Sequence, residues 1–353
     1  MPSTSGSGES LDRVIDRFAL QAWLSSEVEG WTDDPVSMEI ASGGRSNLTI
    51  FVQQGERKAV LRRPPLGPLL PSAHNMEREF RVMGALRDTA VPVPRVHALC
   101  TDSSVIGSTF YLMERVEGRT LSVASDTSNF TAEEAAELSA DFVDVLTDIH
   151  AVDYRAVGLS DFGRPEGYVA RQVQRWLMQW EQSATRVLPK MDALVRRLNS
   201  RVPLNSKASL VHGDFRLDNL LIASAPSLEP LAVLDWEMST LGDPLTDVGL
   251  MLVYWSEPGD THRPSSVATQ IAGNPGFLSR RELVNRYVTL TGANLDDLPF
   301  YVALGYFKLA VIFEGIHRRH LTGRTVGEGF DQLGVEVPLL INRALEALAN
   351  PFN

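Results

Sequence analysis

The sequence predicts an α+β protein with two unequal lobes, a small N-terminal lobe containing an antiparallel sheet and a helix, and a larger, mostly helical C-terminal lobe. The chain has 353 residues, which exceeds the size at which one core usually stays undivided. Segments typical of strands dominate up to about residue 116, and helical patterns dominate after it. We therefore expect a flexible tail over 1–10, an N-terminal lobe over 11–116 and a C-terminal lobe over 117–353.

The N-terminal lobe should begin with an amphipathic helix over 11–29, because apolar residues recur there at helical spacing. Two strands, 47–53 and 57–62, are joined by a turn containing Gly55. A helix over 75–87 follows, with Met76, Phe80, Met83 and Leu86 on one side. A further strand over 109–116 should close the lobe.

The C-terminal lobe carries several helix boundary signals. Thr131 and Glu134 form a capping box, Ser279 and Glu282 repeat it, and Gly292 should end the second of these helices. Asp243 before Pro244 predicts another helix start. A long helix is expected over 301–319, where we interpret Lys308, Glu314, His317 and Arg318 as members of a mostly solvated face.

Composition narrows the functional classes. A formal net charge of −11 disfavours a nucleic-acid partner, which needs a basic surface. The single cysteine, Cys100, excludes an internal disulfide and suits a reducing compartment. No run of about 18 apolar residues and no signal peptide is evident, so we expect a cytoplasmic protein without a membrane partner. The oligomeric state stays open.

The segment His212-Gly213-Asp214-Phe215-Arg216-Leu217-Asp218-Asn219, followed by Asp235-Trp236-Glu237 after an apolar run, is the most informative feature. Asp214 and Asn219 have the five-residue spacing of a kinase catalytic loop. Phosphoryl transfer needs a carboxylate beside the attacking hydroxyl and hard oxygen ligands for Mg²⁺. Asp214 is the predicted base, and Asn219 and Asp235 are the predicted metal ligands.

This pattern resembles the aminoglycoside phosphotransferase-like family of small-molecule kinases (the APH and choline kinase type), whose signature is His-Gly-Asp, four residues, Asn, then Asp-Trp-Glu. The segment from Leu241 to Gly249 is similar to the subgroup that includes kinase domains fused to acyl-CoA dehydrogenases. The resemblance implies a two-lobed, protein-kinase-like fold. It also implies ATP, or alternatively GTP, with Mg²⁺ as cofactors. Gly213 stands where protein kinases have Arg, so no phosphorylation switch is implied.

The same comparison with kinases suggests nucleotide contacts in the N-terminal lobe. Arg62, at the end of the second strand, should bind the α and β phosphates in place of the usual Lys, with Glu79 as its partner and Glu77 as a competitor. The small residues before the first strand could let backbone N–H groups approach phosphate oxygens; these are Gly43, Gly44, Ser46 and Asn47. Main-chain groups near Glu114 and Val116 should bind the adenine.

Two residues have alternative interpretations. Asp247 either binds the main chain of the catalytic loop or is favoured there by the helix dipole. His212 is expected to shape the loop by packing and hydrogen bonding rather than to act as an acid or base.

The acceptor is less well defined than the nucleotide. A hydroxyl-bearing metabolite such as a hydroxyacyl-CoA is favoured, because the Arg and His residues of 317–320 suit an anionic acceptor. An aminoglycoside is the alternative. A nucleotide-binding regulatory module without turnover is a further hypothesis. A metal-dependent hydrolase is a weaker one, because the seven histidines offer no pair at HisxxxHis spacing.

Overall fold

The computed structural model describes residues 11, 15–41, 47–65, 75–204, 207–225, 227–260, 271–323 and 332–352. The chain divides into two compact units. The first comprises Met1–Gly118 together with Leu231–Glu237, and the second comprises Arg119–Pro230 and Met238–Asn353. The segment Leu231–Glu237 therefore groups with the first unit, where the N–H of Val233 donates to the carbonyl of Pro92 at 2.8 Å.

The first unit contains a five-stranded antiparallel sheet in the order β1-β2-β3-β5-β4. Its described elements are α1 (Arg17–Glu27), β1 (Ser37–Ile40), β2 (Leu48–Gln54), β3 (Arg57–Arg63), α2 (Met76–Leu86), β4 (Val96–Cys100), α3 (Ser103–Ile106) and β5 (Phe110–Glu114). Gly55 makes the β2–β3 turn with a φ of 58°. The small lobe with an antiparallel sheet and a helix is confirmed.

The core of this unit follows strand alternation. Ile50 and Val52 of β2 are fully buried, as are Leu61 of β3 and Leu112 of β5. These side chains pack with apolar residues of α1 such as Leu24, so one face of the sheet is covered.

Two predicted boundaries in this unit were wrong. The helix expected over 11–29 is not continuous, because Leu11 is helical but Ile15 and Asp16 are not. The helix that follows runs Arg17–Glu27, and the carboxylate of Asp16 caps it by accepting hydrogen bonds from the N–H groups of Phe18 and Ala19. The strand expected to reach Val116 ends at Glu114, its last residue paired with β3.

The second unit is mostly helical, as predicted. Its helices are α4 (Ala132–Ala151), α5 (Tyr168–Ser183), α6 (Pro189–Asn199), α7 (Leu245–Tyr254), α8 (Arg280–Thr291), α9 (Leu298–Leu321) and α10 (Leu333–Ala347). The predicted capping boxes at Thr131 and Ser279 are present, and Gly292 ends α8 with a φ of 65°. Short strands β6 (Ser209–Val211), β7 (Leu220–Ile222) and β9 (Thr240–Gly242) interrupt the helices, and β6 pairs antiparallel with β9. Strand β8 (Pro230–Val233) falls, except for Pro230, in the segment that groups with the first unit.

Helix α9 is the centre of the second unit and packs against α5, α7 and α10. By length and composition it could cross a membrane, although Lys308 interrupts its apolar sequence. However, 78% of the apolar 18-residue stretch of this helix is buried inside the protein, as in a core helix. The prediction that Lys308, Glu314, His317 and Arg318 belong to a mostly solvated face was wrong in part. Lys308 is only 7% exposed and Glu314 is fully buried, because Glu314 accepts hydrogen bonds from Thr185 and Arg186.

Candidate active site

The loop after β6 holds Asp214 and Asn219 together in the second unit. The side-chain Nδ2 of Asn219 donates to the main-chain carbonyl of Asp214 at 2.9 Å and approaches its carboxylate Oδ2 at 3.3 Å. A 3₁₀ turn over Leu217–Asn219 brings the amide back to the start of the loop. The amide nitrogen is used within the loop, so Oδ1 of Asn219 is the atom that could bind a metal.

Asp247, in the first turn of α7, fixes the main chain just before Asp214. Its carboxylate oxygens accept hydrogen bonds from the N–H of His212 at 2.7 Å and of Gly213 at 2.8 Å. His150 Nε2 lies 3.3 Å from the same carboxylate. Of the two interpretations left open by the sequence, the loop contact is therefore the one observed. His212 is fully buried, and its Nδ1 accepts a hydrogen bond from the N–H of Asp214 at 3.2 Å.

Electrostatics keep Asp247 ionised. Burial works to raise the pKa of Asp247, but the hydrogen bond with His150, the nearby histidine charges and the N–H of Gly213 outweigh it and hold the pKa below its usual value. An ionised carboxylate is the stronger acceptor for the loop N–H groups.

Gly213 has a steric reason to be glycine. Its φ is 83°, in the left-handed region. A Cβ at this position would also lie 2.6 Å from the carbonyl oxygen of Met238. The loop conformation therefore excludes larger residues between His212 and Asp214.

Two side chains beside the loop were not predicted. The phenol of Tyr254 donates to Asp214 Oδ1 at 3.2 Å, and the buried ammonium of Lys308 donates to the carbonyl of Gly213 at 2.6 Å. Burial lowers the pKa of Lys308, although the charges of Asp214 and Asp247 oppose that shift. A cation in the middle of the apolar stretch 298–313 was a usable sequence signal for Lys308. Nothing comparable marks Tyr254.

In the first unit, Arg62 is held by two carboxylates. Its Nε lies 2.9 Å from Glu79 Oε2 and its terminal nitrogen 2.5 Å from Asp235 Oδ1. The predicted pairing of Arg62 with Glu79 is thus present. Burial works to lower the pKa of Arg62, but Glu79, Tyr111 and Asp235 raise it overall. The phenol of Tyr111 donates to Glu79 Oε2 at 2.9 Å, which fixes the carboxylate.

Asp235 belongs to a group of three acidic residues in this unit. Oxygen atoms of Glu79, Asp235 and Glu237 all lie within 4.8 Å of one another. The buried amide of Asn47 donates to Glu79 at 3.0 Å and to Glu237 at 3.1 Å. Among the described residues, Asp235 is the one non-glycine residue with a positive φ, at 65°. Such strained backbone conformations are concentrated at functional sites.

Burial raises the pKa of Glu79 despite the opposing charge of Arg62. Glu237 was visible in the sequence motif but received no role there. Its contact with Asn47 depends on the fold and not on spacing.

The remaining predicted residues are placed as follows. Gly43, Gly44 and Ser46 lie outside the described residues, as does the tail over 1–10. The N–H of Glu114 donates to the carbonyl of Arg95 at 2.7 Å, and Val116 follows β5. The structure groups Asp214 with Asn219 in the second unit, and Arg62 with Glu79 and Asp235 in the first. The roles of these residues toward a nucleotide or a metal stay predictions.

Comparison with known proteins decides the family. Residues 37–283 match the model of the family described as "Phosphotransferase enzyme family". The chain belongs to this family.

This phosphotransferase-family chain is also similar to longer curated proteins. It is 37% identical over 325 residues to acyl-CoA dehydrogenase family member 10 of Mus musculus, covering 91% of this chain and 30% of that protein. It is 36% identical over 342 residues to acyl-CoA dehydrogenase family member 11 of Gallus gallus, covering 94% of this chain and 43% of that protein. The chain thus spans less than half the length of these curated relatives.

Solved structures show the kinase-like fold. A Ralstonia eutropha protein provisionally named as an aminoglycoside phosphotransferase is 35% identical, with a TM-score of 0.80 over 94% of this chain and 97% of that one. Aminoglycoside 2'-phosphotransferase-IIIa, in its GDP complex, is 15% identical, with a TM-score of 0.62 over 96% of this chain and 100% of that one. The latter likeness concerns the fold alone.

Proposed function

We propose that this phosphotransferase-family chain transfers the γ-phosphoryl group of ATP to a hydroxyl of a small molecule, with Asp214 as the general base. The observation that carries the proposal is the construction of the Asp214 loop. A buried, ionised Asp247 holds the two N–H groups before Asp214, and Asn219 holds its carbonyl. A preorganised carboxylate of this kind suits proton abstraction from an acceptor hydroxyl.

Arg62 is the proposed ligand of the nucleotide phosphates. Its planar guanidinium is always charged and binds phosphate oxygens in a fork. Glu79, itself fixed by Tyr111, holds that guanidinium in place. Main-chain groups near Glu114 and Val116 are the proposed adenine contacts, and GTP is an alternative nucleotide.

Mg²⁺ is the proposed metal, and Asn219 of the second unit and Asp235 of the first are each proposed as a ligand. Their oxygen atoms are of the hard type that Mg²⁺ prefers, and the carboxylates of Glu79 and Glu237 near Asp235 add negative charge. The residues present therefore fit a divalent cation. When bound, Mg²⁺ would neutralise charge on the phosphate oxygens.

For the acceptor we favour a hydroxylated metabolite, with a hydroxyacyl-CoA as the first compound to test. The names of the longer relatives, which are acyl-CoA dehydrogenase family members, support this choice. The provisional name of the Ralstonia protein supports an aminoglycoside as the alternative.

The test is phosphate release from MgATP by the wild type, Asp214→Asn and Asp235→Asn. We expect slow ATP hydrolysis by the wild type. Asp214→Asn should lose at least about a hundredfold, in the range attributed to general base catalysis, and Asp235→Asn should also lose turnover because it removes a proposed metal ligand. Asp144→Asn, which removes a half-exposed partner of Arg286, is the control and should keep wild-type turnover.

A parallel screen adds hydroxyacyl-CoA, sugar alcohols or aminoglycosides and looks for faster ATP consumption and a phosphorylated product. If nucleotide binds but the wild type and both variants are equally inactive with every acceptor, a regulatory nucleotide-binding module is the better description. Stimulation by aminoglycosides alone would overturn the metabolite proposal.

A further inference from the structure

Helix α7 contacts the Asp214 loop through residues near both of its ends. Asp247, in its first turn, binds the main chain of His212 and Gly213, and Tyr254, its last residue, reaches the carboxylate of Asp214. The two positions are about two helical turns apart and so share one face of the helix. One rigid element therefore sets both the path of the loop and the direction of its carboxylate.

The two oxygens of Asp214 have different surroundings. Oδ1 accepts the phenol hydrogen bond of Tyr254 at 3.2 Å. Oδ2 lies 3.3 Å from Asn219 Nδ2, whose shorter bond of 2.9 Å goes to the main-chain carbonyl of Asp214. Oδ1 is thus the oxygen held by a separate element, α7, whereas the hydrogen bond to Oδ2 comes from within the loop itself. This leaves Oδ2 as the oxygen for the proton.

Tyr254 is held as a hydrogen-bond donor. Burial and the neighbouring charge of Asp214 raise the pKa of Tyr254 well above its usual value, so the phenol keeps its proton. The guanidinium of Arg216 lies 4.6 Å from the centre of the Tyr254 ring and is itself paired with Asp218. The ring is therefore fixed by contacts on its face as well as through its hydroxyl.

We propose that Tyr254 is a positioning residue that holds Oδ1 of Asp214, so that Oδ2 faces the acceptor hydroxyl. This inference rests on the proposed function of Asp214. In the reaction the acceptor oxygen forms a bond to the γ-phosphorus while the bond to the β–γ bridging oxygen breaks, and the bridging oxygen leaves with the electron pair on ADP. The hydroxyl proton passes to Oδ2, and Tyr254 keeps its own proton throughout.

The test compares Tyr254→Phe with a matched control, Tyr301→Phe. Tyr301 is buried, and like Tyr254 it donates through its phenol to an aspartate, in this case Asp243 Oδ2 at 2.9 Å. Each substitution removes one hydroxyl and one Tyr–Asp hydrogen bond, but only the first touches the base. Phosphate release from MgATP is the assay, with water as the acceptor.

We expect Tyr254→Phe to lower kcat about tenfold with KM for ATP within about twofold, because orientation of a catalytic group affects turnover and not nucleotide binding. Tyr301→Phe should keep kcat within about twofold of the wild type. In an Asp214→Asn background, Tyr254→Phe should cause no further loss, because the base it positions is gone.

Unchanged kcat in a folded Tyr254→Phe protein would overturn the positioning role, and so would an equal loss in Tyr301→Phe. If Asp214→Asn keeps wild-type turnover, the proposed function itself fails, whatever Tyr254→Phe shows. If Tyr254→Phe is recovered unfolded, the hydrogen bond is tested by changing its acceptor, Asp214. Asp214→Ala, which removes the phenol's acceptor, should then melt below Asp214→Asn, and equal melting temperatures overturn the inference.

Discussion

Replacement of Asp247 by Ala should both unfold the protein at lower temperature and disable the Asp214 loop. Asp247 is fully buried, and its carboxylate is the acceptor for the N–H groups of His212 and Gly213. The Ala variant leaves one buried and one part-buried N–H group without that acceptor. It also leaves His150 Nε2 without its carboxylate neighbour.

The expected loss follows from these contacts. Each buried donor left unpaired costs about 1–3 kcal/mol, and loss of a carboxylate from a helix N-terminus adds up to about 1 kcal/mol. We therefore expect Asp247→Ala to lower the free energy of unfolding by about 4 kcal/mol. For a unit of this size that corresponds to a fall in Tm of about 10 °C. Asp247→Asn keeps one oxygen acceptor and should lose about half as much.

The assay is thermal unfolding followed by circular dichroism, with phosphate release from MgATP measured in parallel. The pKa of Asp247 is lower in the folded state than its ordinary value of 3.8. The unfolded state therefore binds more protons between these two values, so this stabilisation is complete above about pH 4 and declines as the pH falls through the folded pKa. The difference in Tm between wild type and Asp247→Asn should be full at pH 7 and shrink below pH 4.

Asp144→Asn is the control for Asp247. Its half-exposed ion pair with Arg286 should contribute no more than about 1 kcal/mol. If Asp247→Ala matches the wild type in both Tm and turnover, the loop does not depend on this carboxylate and the reasoning is refuted.

Three other predictions concern charge and backbone conformation. Arg62→Ala should weaken ATP binding at least about tenfold by calorimetry, because it removes the proposed phosphate ligand, with Arg62→Lys intermediate; equal affinities would remove Arg62 from that role. Gly213→Ala should lower stability by about 3 kcal/mol and abolish turnover because of the contact with Met238, whereas Gly292→Ala, also at positive φ but in open space, should lose only about 1 kcal/mol; equal losses would contradict the steric argument. The folded-state pKa of Lys308 is lower than its ordinary value of 10.5, so between these two values the unfolded state binds more protons and the free energy of unfolding should increase as pH rises. Urea unfolding of Lys308→Met should lack this increase. The same pH dependence in the variant and the wild type would refute the prediction.

Local signals explain what could be predicted from the sequence. The capping boxes at Thr131 and Ser279 depend on residues three positions apart, and the Asp214–Asn219 contact spans only five. Such contacts are encoded by spacing, so they were predictable without knowledge of the fold. The link between Arg62 and Glu79 needed more, because the two residues lie on different elements, and it came from the resemblance to small-molecule kinases.

Contacts between distant segments explain what was missed. Glu314 was interpreted as solvated, yet it is buried because Thr185 and Arg186, on a segment far away in sequence, satisfy its oxygens. The role predicted for Asn47 concerned its backbone N–H and stays a prediction, but the hydrogen bonds of its side-chain amide to Glu79 and Glu237 were not foreseen. A polar side chain is interpreted correctly only when its partner is known, and the partner is set by tertiary packing.

The peptide groups of Gly213 show how such partners combine into a working site. Its N–H is held by the anion Asp247 and its carbonyl by the cation Lys308, both buried. Each charge alone would be expensive to bury, but each binds the peptide group of matching polarity, and each also stabilises the ionised form of the other. Because Gly213 lacks a side chain and has a left-handed φ, it lets both charges reach the main chain directly before Asp214. These two interactions therefore fix the main chain from which the Asp214 side chain extends. The hydrogen bond from Tyr254 then orients the carboxylate of Asp214.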